Sequence, residues 1–170
     1  MPLHLRETDE HLAQLCREFE RRVASVADLD QLELPVVLKA TFQDEPEARE
    51  SRVIATDQAS YRHSLKSVFI NNSTFWLLPE DQRLGVVAHE VGHAVSDRDA
   101  LRSRSPFRML SDCQVADLLA CRWGFYDALR HERASYYGQP YGDALALWQD
   151  EKAYASAMTQ WYQQRLAGLV

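Results

Sequence analysis

The sequence predicts an α+β fold in which a small, mostly antiparallel three-stranded sheet packs with a central helix and three to four further helices. Apolar residues recur at helical spacing in several stretches, and short alternating or apolar runs typical of strands precede the central one. The whole chain, residues 1–170, is predicted to be a single domain, because 170 residues can bury a full hydrophobic core and no composition shift marks a boundary.

The first half of the chain is predicted to hold one helix and three strands. From residue 9 to about residue 29, apolar residues keep helical spacing with charges between them, which indicates an amphipathic helix with a solvated outer face. Three short runs have the alternation or apolar content of strands: residues 34–42, 52–55 and 66–70. Residues 68–71 are a candidate exposed edge for pairing with an extended peptide, although an interior strand fits the same stretch equally well.

The second half begins with the helix around which the fold is organised. Pro79 suits a first helical turn, and Glu80 and Asp81 place negative charge where the helix dipole favours it. The apolar residues that follow repeat at helical spacing as far as Val95. Gly92, near the middle of this helix, leaves room for a neighbouring strand or a substrate.

The stretches after this helix predict a loop and two more helices. Residues 96–108 form a polar, arginine-rich loop that serves as a gate, as a phosphate-binding surface, or merely as solvated surface. Ser111 or Asp112 can cap a second helix that runs to about residue 130. A last helix is predicted over about residues 143–166, with tryptophans that serve as core anchors.

The central helix carries the motif HEVGH at residues 89–93. Residues four apart on a helix lie about 40° apart around its axis, so the imidazoles of His89 and His93 project from one face. Two neutral imidazoles at this spacing can bind one zinc ion, and Glu90 beside them can accept a proton from an activated water. The alternative is two surface histidines on an amphipathic helix, but the valines and alanine around the motif favour zinc.

A catalytic zinc takes three protein ligands and leaves one position open. Four places offer the third ligand: Asp99, Asp112 with Cys113, Asp117 and Glu132. Asp99 would need a tight turn after the helix, where the chain has Ser96 instead of a glycine. Glu132 would have to reach far, and Asp117 is better suited to hold a ligand histidine from outside. The start of the second helix, with Asp112 and Cys113, therefore remains the best source.

Three stretches resemble the ImmA/IrrE group of small bacterial metallopeptidases: FINNS at 69–73, LPEDQR at 78–83 and VAHEVGH at 87–93. The resemblance covers roughly the central half of the chain and implies a zincin-like domain that holds Zn²⁺ through His89 and His93, with Glu90 as the catalytic residue. The group's second helix resembles Glu-x-x-Ala-Asn-x-x-Ala, with the glutamate as third ligand. This chain has CQVADLLA at 113–120, so a cysteine stands at the glutamate position.

The departure at Cys113 leaves three alternatives. Cys113 can replace the glutamate, since a thiolate binds zinc well and zinc keeps the thiol deprotonated. Asp112 can instead be the third ligand while Cys113 fills the water position, which would be a cysteine switch that keeps an enzyme latent. Adjacent helical residues point about 100° apart, which disfavours this second arrangement. The third alternative is that Cys113 is an inert core thiol.

The resemblance implies a latent cytoplasmic zinc endopeptidase that cleaves a protein regulator. The subgroup that the chain resembles most partners a helix-turn-helix repressor beside bacterial CBASS anti-phage operons, with DNA damage or single-stranded DNA as the expected trigger. Zinc would polarise the scissile carbonyl, and Glu90 would pass the proton of water to the leaving amine. The oxyanion donor is open between Tyr61, His63 and Arg108. The alternative function is a non-catalytic zinc-containing sensor, or a module that binds nucleic acid or a protein partner.

The net charge and the number of cysteines limit which compartments and partners fit these functions. The net charge of −6 argues against a protein that is basic overall, yet the basic side chains are mostly arginine, which suits phosphate. The three cysteines are odd in number and follow no disulfide framework. With a polar N-terminal stretch and no long apolar run, they predict reduced thiols in the cytoplasm and no association with a membrane.

Overall fold

The computed structural model describes residues 3–5, 9–26, 29–30, 32–39, 58–103, 107–129 and 131. Four strands lie within these ranges: β1 (Leu3–Leu5), β2 (Leu34–Lys39), β3 (Ala59–Arg62) and β4 (Ser67–Asn71). Three α-helices accompany them: α1 (Glu10–Arg22), α2 (Glu80–Arg98) and α3 (Asp112–Ala120). The predicted strand at 52–55, the predicted helix at 143–166 and Glu132 lie outside the described residues. The α+β class is confirmed.

The first helix forms as its pattern predicts, although it ends at Arg22, short of residue 29. Asp9 caps it, with the carboxylate accepting a hydrogen bond from the Leu12 amide at 2.9 Å. Its apolar face is buried, including Leu12 and Phe19, both fully inaccessible to solvent. The charged outer face is exposed and carries arginine–glutamate ion pairs within the helix.

The sheet differs from the prediction in strand number and direction. The described strands are ordered β1-β2-β4-β3, and β1 pairs with β2, and β2 with β4, in parallel. Only β3 and β4 are antiparallel, so the prediction of a mostly antiparallel, three-stranded sheet is wrong. The reason is that β4 folds back between β2 and β3, a long-range pairing that the local pattern of each strand does not encode.

This strand order also corrects the predicted edge. Residues 68–71 belong to β4, which is paired on both sides and buried along its length, so the exposed-edge prediction for this stretch is wrong. The strand at this edge of the described sheet is β3, which pairs with β4. This short strand lies against α2.

Helix α2 is the centre of the described fold, buried along nearly its whole length between Gln82 and Ser96. Pro79 immediately precedes its first turn, and Glu80 and Asp81 occupy that turn as predicted. The helix continues to Arg98, which takes three residues from the predicted arginine-rich loop. Short 3-10 turns follow at Leu101–Ser103 and Phe107–Met109. No helix among the described residues is long and apolar enough to cross a membrane.

Helix α3 begins at a capping box and packs closely on α2. The Ser111 hydroxyl accepts from the Gln114 amide at 3.2 Å, and the Gln114 side chain accepts from the Ser111 amide at 2.8 Å. A Cβ at Gly92 would lie 2.6 Å from the Ala116 carbonyl oxygen. The room beside Gly92 is therefore filled by the α3 backbone, and the predicted strand or substrate at that place is wrong.

Candidate metal centre

The centre forms where one turn of α2 faces the first turns of α3. His89 and His93 project from α2, and Cys113 projects from α3. One ligand atom from each of these residues lies within 4.8 Å of the other two, and this is the one such cluster of metal-binding side chains in the described part of the chain. His89 is buried, whereas Cys113 is exposed at the outer side of the cluster.

Asp117 fixes the orientation of one of the histidines. Its carboxylate lies 2.6 Å from Nδ1 of His89, and both residues are buried. A carboxylate only accepts hydrogen bonds, so Nδ1 of His89 carries the proton and Nε2 presents a lone pair towards the cluster. This is the place that the sequence predicts for Asp117, outside the ligands and holding a histidine.

The two imidazoles converge as zinc ligands do. Their Nε2 atoms are 3.1 Å apart, and the rings are nearly perpendicular at 87° with centroids 4.6 Å apart. Two nitrogens that each lie 2.0–2.1 Å from one tetrahedral zinc ion are about 3.3 Å from each other. With the Cys113 thiol within 4.8 Å of both, the donor set and its spacing fit a tetrahedral ion with three protein ligands.

Glu90 lies beside the cluster and is held by the sheet. One carboxylate oxygen is 4.0 Å from Nε2 of His89, and the other accepts the backbone N–H of Tyr61 at 2.5 Å. The Asn71 amide donates to the Gln58 carbonyl, so residues 58 and 71 are a hydrogen-bonded pair of the β3–β4 ladder. Hydrogen-bonded and non-hydrogen-bonded pairs alternate along an antiparallel ladder. The Tyr61 amide therefore points away from β4 and towards α2. No local sequence pattern signals this contact between β3 and the motif.

Two other third-ligand candidates, Asp112 and Asp99, form ion pairs outside the cluster. Asp112 is exposed, and its carboxylate pairs with the Arg102 guanidinium at 2.8 Å, so it is not in the cluster. Asp99 pairs with Arg98 at 3.0 Å. The exposure of Cys113 also contradicts an inert core thiol, a description that fits Cys16 instead.

Cys16 shows what a structural thiol looks like in this chain. It is 4% exposed on the inner face of α1. Burial, helped by the neighbouring Glu20, raises the pKa of Cys16 to about 12, so the thiol stays protonated at neutral pH. All three cysteines are free thiols.

A polar cleft of about 260 Å³ opens beside the cluster. His93 and Asp97 line it from α2, His63 from the β3–β4 turn, and Arg102 from the following 3-10 turn. Of the three oxyanion candidates, His63 is therefore the one placed on the cleft wall. Arg108 is exposed and is not among the lining residues.

The hydroxyl of Tyr61, the third oxyanion candidate, is bonded to a carboxylate on the cleft wall. It donates to the Asp97 carboxylate at 2.9 Å, and Lys66 pairs with the same carboxylate. Burial and the bond to Asp97 raise the pKa of Tyr61. Burial favours a raised pKa at Asp97 as well, but the hydrogen bonds from Lys66 and Tyr61 outweigh it, and the pKa of Asp97 is lowered.

Comparison with known proteins identifies no relative of this chain. Nothing matches this chain significantly among protein-family models, curated proteins or solved structures.

Proposed function

We propose that this chain is a zinc-dependent endopeptidase of the HExxH class. The observation that carries the proposal is the convergence of His89, His93 and Cys113, with Glu90 adjacent and a polar cleft alongside. A merely structural zinc site closes its shell with four protein ligands, whereas three ligands leave a position for water or substrate. A surface histidine pair would need neither a buried orienting carboxylate nor a backbone-anchored glutamate.

The side chains divide the chemistry between them. When bound, zinc supplies Lewis-acid polarisation of a scissile carbonyl and makes water a better nucleophile. Glu90 accepts the proton of the attacking water and then donates it to the leaving amine. The Tyr61 amide keeps the Glu90 carboxylate in place, and Asp117 keeps His89 in the tautomer that can bind the metal. An extended substrate would pair with β3, the end strand of the described sheet, instead of with the interior strand β4.

The position of Cys113 favours a constitutive ligand over a cysteine switch. A switch requires Asp112 to bind zinc together with its neighbour, yet Asp112 is paired with Arg102 on the exposed side. The remaining parts of the proposal follow from the ImmA/IrrE resemblance alone. They are a cytoplasmic location, a helix-turn-helix repressor as substrate, an anti-phage or stress operon as the regulated unit, and single-stranded DNA as the activator.

The test compares wild-type protein with Glu90→Gln in a bacterial lysate, with and without single-stranded DNA. Newly formed N-termini are labelled and identified by mass spectrometry, and zinc content is measured in parallel. We expect Glu90→Gln to keep its zinc and to lose the new N-termini. Glu80→Gln, an exposed change of the same kind on the first turn of α2, should behave as wild type. New N-termini that form equally with Glu90→Gln would exclude this mechanism.

If neither protein produces new N-termini while zinc is bound, the non-catalytic sensor or binding module becomes the better description. Dependence of cleavage on single-stranded DNA would support the latent, triggered form. Cleavage that is independent of DNA would leave a constitutive peptidase with Cys113 as an ordinary ligand.

A further inference from the structure

One residue, Tyr61, bonds to α2 at two points. The backbone N–H of Tyr61 donates to Glu90, and its hydroxyl donates to Asp97 at 2.9 Å. Glu90 and Asp97 are seven residues apart on α2, which is about two helical turns or 10.5 Å. Two contacts this far apart fix both the position and the direction of β3 along the helix.

Asp97 also contacts two residues of the β3–β4 turn. Lys66, just before β4, pairs with the carboxylate oxygen that accepts from Tyr61, and Nδ1 of His63 is 3.5 Å from the same oxygen. Lys66 and His63 are more than half exposed, whereas Tyr61 is 7% exposed. Solvent screens the two exposed partners, so the part-buried bond from the tyrosine hydroxyl is the strongest of the three contacts with Asp97.

The anchoring matters because β3 is a four-residue strand bonded to the sheet on one described side only. Short edge strands shift more readily than interior ones. Without Asp97, β3 keeps its bonds to β4 and the Tyr61–Glu90 contact but loses its second attachment to α2. The Tyr61 amide would then be free to shift relative to Glu90, and the Glu90 carboxylate would gain rotational freedom at the point of proton transfer.

We propose that Asp97 is a positioning residue for Glu90, acting through Tyr61. The inference rests on the proposed peptidase function and adds to it a residue outside the HEVGH motif. Asp97 lies on the cleft wall, but its carboxylate is engaged by Tyr61 and Lys66, so its role is to set the place of the amide that orients the base. A misplacement of about 1 Å in catalytic geometry can cost on the order of 10²-fold in rate.

The test uses a peptide that spans the first cleavage site found in the lysate experiment. Asp97→Ala and Tyr61→Phe should each lower kcat about 10- to 100-fold, with KM and zinc content unchanged. Asp97→Asn should retain most of the activity, because its amide oxygen still accepts from the tyrosine hydroxyl. Asp81→Ala, an exposed aspartate at the other end of α2, is the matched control and should leave kcat unchanged.

The double variant Asp97→Ala/Tyr61→Phe separates positioning from a general loss of stability. If Asp97 acts through Tyr61, the double variant is no slower than either single one, whereas independent effects multiply. Multiplied losses, a loss of zinc, or unchanged kcat in Asp97→Ala would each overturn the positioning role while leaving the peptidase proposal intact. Failure of the wild-type protein to cleave anything would instead remove the proposed function, and this inference with it.

Discussion

At the scale of the residue, Cys113 and Asp112 are neighbours with different surroundings. They lie on the first turn of α3, and adjacent helical residues point about 100° apart. The turn of α3 that faces α2 carries the thiol towards His89 and His93, while the carboxylate of Asp112 meets Arg102. The same helix face repeats four residues later, where Asp117 reaches Nδ1 of His89.

This geometry predicts opposite outcomes for the two neighbours. Cys113→Ala should lose most of its bound zinc and its activity together, because two histidines alone bind the ion weakly. Asp112→Asn should keep both, since it loses only a solvent-exposed pair with Arg102. Zinc per protein chain, measured by elemental mass spectrometry after dialysis, decides between them.

The cysteine-switch alternative makes the reverse prediction. Under it, Cys113→Ala keeps zinc and cleaves faster, while Asp112→Asn loses the metal. That result would show that Asp112 leaves Arg102 in the working protein.

The residues of the centre were predictable to different degrees. His89, Glu90 and His93 stand out because one helix fixes their relation, and Asp117 follows from the same helical rules applied to α3.

The choice of Cys113 over Asp112 was not predictable, because it depends on how α3 is rotated against α2. The Tyr61 amide was not predictable either, since it becomes available only through the pairing of β3 with β4. Asp97 did carry a signal, since it follows His93 by four residues on the same face of α2.

At the scale of the element, the close contact of α2 and α3 sets the geometry of the candidate metal centre. Gly92 lies between the two histidines in sequence, and the Ala116 backbone fills the space beside it. Ala116 in turn lies between Cys113 and Asp117, the two residues of α3 that reach the centre. The absence of a side chain at Gly92 thus allows the helices to approach closely enough for both contacts.

Gly92→Ala should therefore push the helices apart, because a Cβ there would meet backbone atoms at 2.6–3.0 Å that cannot rotate away. We expect a destabilisation of about 1–3 kcal/mol, typical of overpacking, with weaker zinc binding. Gly85→Ala is the matched control, because its Cβ would meet Ala128 and Leu129 at 3.0–3.1 Å, away from the centre. Urea unfolding and zinc affinity should separate the two variants. Equal zinc affinity in both would show that helix spacing at Gly92 does not tune the site.

The presence of the three described α-helices was predictable and the sheet topology was not, for one physical reason. A helix is specified by neighbours within a turn or two, such as the Asp9 cap of α1 or the Ser111 capping box of α3. Strand order depends on partners far along the chain, such as Val36 of β2 with Val68 of β4. The three-residue β1 is too short to leave a pattern at all.

At the scale of the whole molecule, the described fold is a sheet, a central helix and a covering helix in succession. Helix α2 is buried between its neighbours, and the core is continuous from α1 through the sheet to α3. A metal ion held by His89, His93 and Cys113 would join α2 to α3 across their interface. Because the ion would bind the folded chain and not the unfolded one, its binding free energy would add directly to global stability.

Zinc should raise the melting temperature, and a chelator should reverse the change. At a free zinc concentration 100 times the dissociation constant, the added stability is about 2.7 kcal/mol. For a chain of this size that corresponds to a shift on the order of 5–10 °C in thermal unfolding. Magnesium should produce no shift, because it prefers oxygen ligands over imidazole and thiolate. His93→Ala should abolish the zinc effect, whereas His11→Ala, an exposed histidine on α1, should retain it. A zinc shift that survives His93→Ala would place the stabilising ion elsewhere in the chain, and α2 and α3 would then be joined by packing alone.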